Sequence, residues 1–155
     1  MDSKISEPQK HTRMKPNHDN TAPHRRTRRD HATETAEDYV EAILDTIEER
    51  ESCRVVDLAK RFGISHVTVT RTVTRLVDEG LVETEPYRPI HLTAKGKRLA
   101  AESRRRHEMV FRFLRALGVD AATAAIDAEG IEHHVSSQTL ACFERFVNER
   151  GKAEG

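Results

Sequence analysis

Acidic and imidazole side chains recur in this sequence where apolar residues would be expected. Val110, Leu114 and Leu117 form the inward stripe of a helix, and His107 lies on the same stripe at i, i+3, i+7 and i+10. Further along, Ile126, Glu129, Gly130 and His133 share one helical face, and Glu129, Glu132 and His133 converge at i, i+3 and i+4. Asp38 and Glu41 form another i, i+3 pair near the start of the ordered chain. Burying such groups is costly unless they are paired or hold a cation. Each pair alone also reads as a solvated helix face or an ion pair, and His107 alone as a satisfied core histidine. Together they offer four carboxylates, two imidazoles and no thiolate. That hard, oxygen-rich set suits Mn²⁺ or Fe²⁺ better than structural zinc. Six ligands serve one ion fully, or two ions that share a bridging carboxylate. His134 reads as a group orienting a carboxylate or as an exposed residue, and His91 as surface or core filler.

The elements that must position these groups are legible from periodicity. Ala36, Val40, Ile43, Leu44 and Ile47 predict an amphipathic helix over 35–50, with Thr35 as its cap. Val55, Leu58, Ala59 and Phe62 give a short helix that Gly63 ends. Ser65 caps the next, His66 to Glu79, with Val69, Val73, Leu76 and Val77 inward. Two helices joined by a short glycine turn form a helix-turn-helix. Residues 81–85 and 90–93 then read as two strands joined by the turn Pro86-Tyr87-Arg88-Pro89. A long helix spans about Ala94 to Leu117. Asp120 caps a helix to about His134, and Ser136 caps a last one with Leu140, Phe143 and Val147 inward. The expected fold class is mainly α with a small β wing: a winged helix-turn-helix followed by an α-helical metal-binding domain, to which the family resemblance adds dimerisation. The expected divisions are 1–33, 34–93 and 94–150.

Between Leu58 and Val77 there are four bases (Lys60, Arg61, Arg71, Arg75) and no acid. Ser65, His66, Thr68, Thr70, Arg71 and Arg75 are short, polar or basic, suited to groove edges and phosphates, and Arg88 in the wing turn is placed to meet a phosphate. Double-stranded DNA is the expected partner.

The whole chain has 155 residues, with 26 Lys+Arg balancing 26 Asp+Glu. Eight bases and four acids fall in residues 1–33, which leaves 18 bases and 22 acids for the remainder. The first 33 residues carry no apolar run and read as a disordered basic arm, with a contact to nucleic acid as the sharper alternative. No run of about 18 apolar residues exists, so no membrane span is expected. Cys53 and Cys142 lack any C-x-x-C context and read as buried small hydrophobes in a reduced, cytoplasmic setting.

Asp38-Tyr39-Val40-Glu41, the stretch Val55 to Leu76, Leu92-Thr93-Ala94-Lys95-Gly96, Arg106-His107-Glu108 with Phe113-Leu114, and Glu129-Gly130-Ile131-Glu132-His133-His134 carry a resemblance. Over residues 36–148 the chain resembles the manganese transport regulators, the short manganese-responsive branch of the diphtheria toxin repressor family. The resemblance implies a homodimeric winged-helix repressor that binds operator DNA when loaded with metal. Its metal ligands fall on Asp38, Glu41, His107, Glu129, Glu132 and His133. The iron-responsive branch is expected to carry Met at position 38 and Cys at position 129; carboxylates there point to Mn²⁺, two ions per protomer, with Fe²⁺, Zn²⁺ or Co²⁺ as substitutes in vitro. It implies neither catalysis nor a small organic substrate. Two other readings compete. One is a winged-helix regulator answering to iron or a non-metal signal, with the acids as interhelix ion pairs. The other is a binuclear metallohydrolase, which lacks a nucleophile or a phosphate loop in the sequence.

Overall fold

The computed structural model describes residues 22–153. Six α-helices, a single turn of 3-10 helix and one two-stranded sheet make up the described chain. Helix α1 (Ala22–Arg50) leads into the helix-turn-helix, α2 (Val55–Phe62) and α3 (His66–Asp78). The wing is β1 (Val82–Glu83) paired antiparallel with β2 (His91–Leu92), in the register Val82 opposite Leu92. Helix α4 (Ala94–Ala116) runs out of the wing, followed by α5 (Ala121–Ile131), the 3-10 turn Glu132–His134 and α6 (Ser137–Ala153).

The predicted caps account for most of the boundaries. Gly63 ends α2 at φ +65°, the left-handed conformation that glycine adopts without strain. The Ser65 hydroxyl accepts from the Thr68 amide, and the Asp120 carboxylate accepts from the amides of Ala122 and Thr123. The Ser136 hydroxyl accepts from the Thr139 amide. Thr93 does more than cap α4: its hydroxyl accepts from Gly96 N–H and donates toward the carbonyls of Gly80 and Leu81. Gly96 sits so close to the wing that a Cβ there would lie 2.1 Å from the Leu81 carbonyl oxygen. The start of α4 is thereby fastened to β1.

The first helix departs from expectation. It begins at Ala22, so residues 22–33 are helical rather than a disordered arm; residues 1–21 lie outside the described chain. Thr35 does not cap it. Its hydroxyl donates instead to the His31 carbonyl one turn back, as Thr33 does to Arg29. Composition misleads here because a segment too polar to nucleate a helix can still extend one already anchored downstream. Arg75 of α3 donates to the Ala32 carbonyl and so holds the extension to the helix-turn-helix.

There are two cores. The larger joins α1, the helix-turn-helix and the wing around Val40, Ile43, Leu58, Val69, Leu76, Val82 and Ile90, all fully buried. The smaller lies between α4, α5 and α6, where Met109, Val110, Ala128 and Leu140 are buried and the Phe113 and Phe143 rings stack. Three residues expected inward are exposed: Val77, Leu117 and Ile126, the last at 73%. Cys53 is buried, and burial pushes its thiol up to about 11. Cys142 is exposed, on a face of α6 turned away from Leu140, because the apolar stripe of α6 covers only one side.

Candidate metal centre and DNA-binding face

The six residues singled out as metal ligands come together where α1, α4 and the end of α5 meet. His107 projects from the middle of α4. Its Nδ1 lies 2.6 Å from Glu132 Oε2 and 3.7 Å from Glu129 Oε1. Ligand atoms of His107, Glu129 and Glu132 all lie within 4.8 Å of one another. On the other side of Glu132, His133 Nε2 is 3.6 Å from Glu132 Oε1 and 3.2 Å from Asp38 Oδ1. Glu41 accepts a hydrogen bond from Ser103 Oγ at 2.8 Å. Asp38, Glu41 and Glu129 also face one open cleft of about 360 Å³, shared with Asp45, Arg61 and Phe62.

Local structure explains the convergence. The helix expected to reach His134 ends at Ile131, and the chain tightens into a 3-10 turn over Glu132–His134. That turn aims Glu132 and His133 into the junction: Glu132 is 2% exposed and the His133 side chain 4%. His134 faces outward and takes no part, and His91 is exposed in the wing.

The electrostatics match a site built for positive charge. Burial pushes the Glu132 carboxyl up to about 7, against the pull of the His107 and His133 imidazoles. Hydrogen bonds to Asp38 and Glu37 raise His133 to about 10, against the desolvation that opposes its charge. At neutral pH His133 holds a proton that a cation would displace. The donor set, carboxylate oxygens and imidazole nitrogens around an acidic cleft, fits a hard divalent ion.

Sequence reasoning missed Glu37. It is buried, and its carboxylate accepts from His133 Nδ1 at 2.7 Å and from Arg106 Nη2 at 2.7 Å. It therefore fixes which imidazole nitrogen faces Asp38 and Glu132, the usual duty of a carboxylate behind a metal-binding histidine. Nothing in the sequence separates Glu37 from its acidic neighbours; only the packing of α4 against α1 buries it.

The residues expected to touch DNA are distributed less evenly. His66, Thr68, Thr70, Arg71 and Arg88 are exposed on α3 and the wing. Arg71 and Arg88 have no ion-pair partner among the described residues. Ser65 is also exposed, but its hydroxyl is committed to the cap and to Thr68 Oγ1. Arg75 is directed elsewhere, toward Ala32 and, at 3.4 Å, toward Glu79. Val67 went unnoticed: 68% exposed on the first turn of α3, it is an apolar group of the kind that meets a thymine methyl. A β-branched residue flanked by polar ones before the inward Val69 was the available signal.

Residues 31–90 match the family described as iron dependent repressor, N-terminal DNA binding domain, and residues 93–152 match its metal binding and dimerisation domain. The chain belongs to the iron-dependent repressor family. It is a transcriptional regulator, with a DNA-binding and a metal-binding and dimerisation domain, and not an enzyme. The metallohydrolase reading falls with that. The chain is 47% identical over 127 residues to the transcriptional regulator MntR of Escherichia coli O6:H1, covering 82% of each chain. It is 40% identical over 108 residues to MntR of Bacillus subtilis, covering 70% of this chain and 76% of that one. Among solved structures it resembles a manganese-dependent transcriptional repressor in complex with manganese (TM-score 0.65, 30% identity) and the manganese regulator SloR (TM-score 0.64, 29% identity). In both, 73% of this chain spans only about half of the solved chain, 52% and 53% respectively. No helix of the described residues is long and apolar enough to cross a membrane.

Proposed function

We propose that this protein is a manganese-dependent transcriptional repressor that binds, as a homodimer, the operator DNA of manganese transport genes in the cytoplasm. The observation that carries the reading is the convergence of Asp38, Glu41, His107, Glu129, Glu132 and His133 from four elements on one acidic junction. Names borne by relatives supply the metal; the junction supplies the ligands. Two Mn²⁺ per protomer suit the arrangement: one group of donors surrounds His107, and the carboxylates of Asp38, Glu41 and Glu129 face the neighbouring cleft. The DNA-binding unit is assigned to residues 34–93 and the sensing and dimerising unit to 94–150.

When bound, Mn²⁺ supplies positive charge to carboxylates that otherwise repel one another. The chain's own residues turn that into a response. Asp38 and Glu41 lie on α1, whose other side packs against the helix-turn-helix through Val40 and Ile43. His107, Glu129, Glu132 and His133 belong to the dimerising half. Holding the two sets together fixes α1, and with it α3, relative to the dimer axis. Two recognition helices must stand about 34 Å apart to enter successive major grooves. By linkage, DNA binding must tighten metal binding by the same factor that metal tightens DNA binding. On α3 and the wing, His66, Thr68, Thr70 and Arg71 address base edges and phosphates, Ser65 and Arg88 add backbone contacts, and Arg75 positions α3 against α1.

A mobility-shift titration on a manganese-transporter promoter fragment tests this. The reading requires binding that is absent in chelator and restored by Mn²⁺, with Fe²⁺, Co²⁺ and Zn²⁺ compared at matched free concentration. Binding indifferent to chelator would remove the sensory role. A response to Fe²⁺ alone would make the protein an iron regulator.

A further inference from the structure

The acidic face of α1 does not stop at the metal centre. After Asp38 and Glu41 it continues at helical spacing through Asp45, Glu48 and Glu49. This further half is already paired, by arginines from two other elements. Arg104 of α4 pairs with Asp45 and, at 2.8 Å, with Glu48. Arg61, at the end of α2, sets Nη2 2.6 Å from Asp45 Oδ2 and Nη1 3.7 Å from Glu49 Oε1. Only Arg61 of these two also lines the 360 Å³ cleft that Asp38, Glu41 and Glu129 share. A guanidinium from the DNA-binding module and the open carboxylates of the metal centre thus face the same space.

We propose that Arg61 is a built-in competitor for the cation, a permanent positive charge in the metal cleft that sets how much Mn²⁺ the protein needs before it loads. The inference rests on Asp38, Glu41 and Glu129 being metal ligands. An arginine is charged at every physiological pH, so its contribution is constant. It acts in two ways. It raises the potential at the open carboxylates directly, and together with Arg104 it offsets the charge of Asp45. A divalent ion and a guanidinium across a partly solvated cleft repel enough to change affinity several-fold, and salt screens the effect. The competition places the sensing threshold in a residue that belongs to the helix-turn-helix and ligates nothing.

The test is direct Mn²⁺ titration of the full-length, metal-free protein, with free Mn²⁺ read by its electron paramagnetic resonance signal. Four variants are compared: Arg61→Gln, Arg61→Lys, Lys60→Gln and Asp38→Ala, each checked for folding by circular dichroism. Arg61→Gln is expected to bind Mn²⁺ about fivefold more tightly at low salt, with the gain shrinking as salt rises. Arg61→Lys keeps the charge and should stay within about twofold of the parent. Lys60→Gln removes the same net charge one residue away, outside the cleft, and should also stay within about twofold. Equal affinity in Arg61→Gln and the parent, or equal tightening in Lys60→Gln, overturns the proposal. Asp38→Ala separates the two assignments. Undiminished Mn²⁺ binding there removes the ligand assignment itself, whereas lost binding there with an unaffected Arg61→Gln removes only the competitor.

Discussion

The two halves of the molecule are built to different standards of completeness. The core around Val40, Ile43, Leu58, Val69, Leu76, Val82 and Ile90 is closed on every side by α1, the helix-turn-helix and the wing. The core between α4, α5 and α6 is smaller, built around Met109, Val110, Ala128 and Leu140, and it leaves Leu117 (53%) and Ile126 (73%) in solvent. Its boundary with α1 is held by charged groups, Glu37, Glu132, His133 and Arg106, where the first core has apolar contact. The contrast teaches where regulation can reside. A self-sufficient module can present α3 without help, whereas a half that is short of apolar burial leaves apolar surface open, in a region that matches a metal binding and dimerisation domain.

The largest effect should come from breaking the closed core. Leu58→Ala leaves a cavity at a fully buried position and should cost about 3 kcal/mol in denaturant unfolding, with no recovery on adding Mn²⁺. The open core should behave in the opposite way. Each Mn²⁺ site held at about 100 times its dissociation constant should stabilise the parent by about 2.7 kcal/mol, and Asp38→Ala should remove the gain from the site it serves. A gain in Asp38→Ala equal to the parent's would break the comparison. The exposed face gives an intermediate effect: Ile126→Glu should weaken self-association by about tenfold in sedimentation equilibrium and leave the monomer folded. An unchanged monomer–dimer equilibrium would place the interface elsewhere. Thr93→Ala, which removes the cap of α4 and its ties to Gly80 and Leu81, should cost about 1 kcal/mol.

The smallest effect is a pH dependence. The Thr123 hydroxyl and amide hold the Asp120 carboxyl below its ordinary range. A depressed carboxyl contributes stability that is fully present above its unfolded value of about 3.9 and is lost as pH falls through the folded one. The difference in stability between the parent and Asp120→Ala should therefore be constant at neutral pH and close toward zero below about pH 4. A difference that persists in acid would show that the cap works without its charge.

What could be read in advance follows from the range of the interactions. His107, Glu129 and His133 were visible because each shares a helical face with apolar residues, and Glu132 because it converges with Glu129 and His133 at i, i+3 and i+4; such spacing is local and written in the sequence. The caps at Ser65, Asp120 and Ser136 are equally local. Glu37 and Arg61 were not visible as parts of the site, because an acid or a base on a charged helix looks the same whether or not another helix will cover it. The bases counted for DNA illustrate the same limit. Of Lys60, Arg61, Arg71 and Arg75, two are turned inward to Asp45 and to Ala32. Ile126 and Leu117 misled for the complementary reason: the stripe is genuine, but within one chain nothing covers it.

One joint has mechanical meaning. Thr93 and Gly96 weld the start of α4 to the wing, so close that no side chain fits between. His107 stands 13 residues beyond Ala94, about 20 Å along a rod that rises 1.5 Å per residue. With that end clamped, the rest of α4 is a lever whose fulcrum lies at the DNA-binding module. A displacement of about 1 Å at His107 turns the module by about 3°. Bond lengths at one end of α4 are thereby converted into an angle at the other, and an angle is what a pair of helices reading successive turns of DNA must get right.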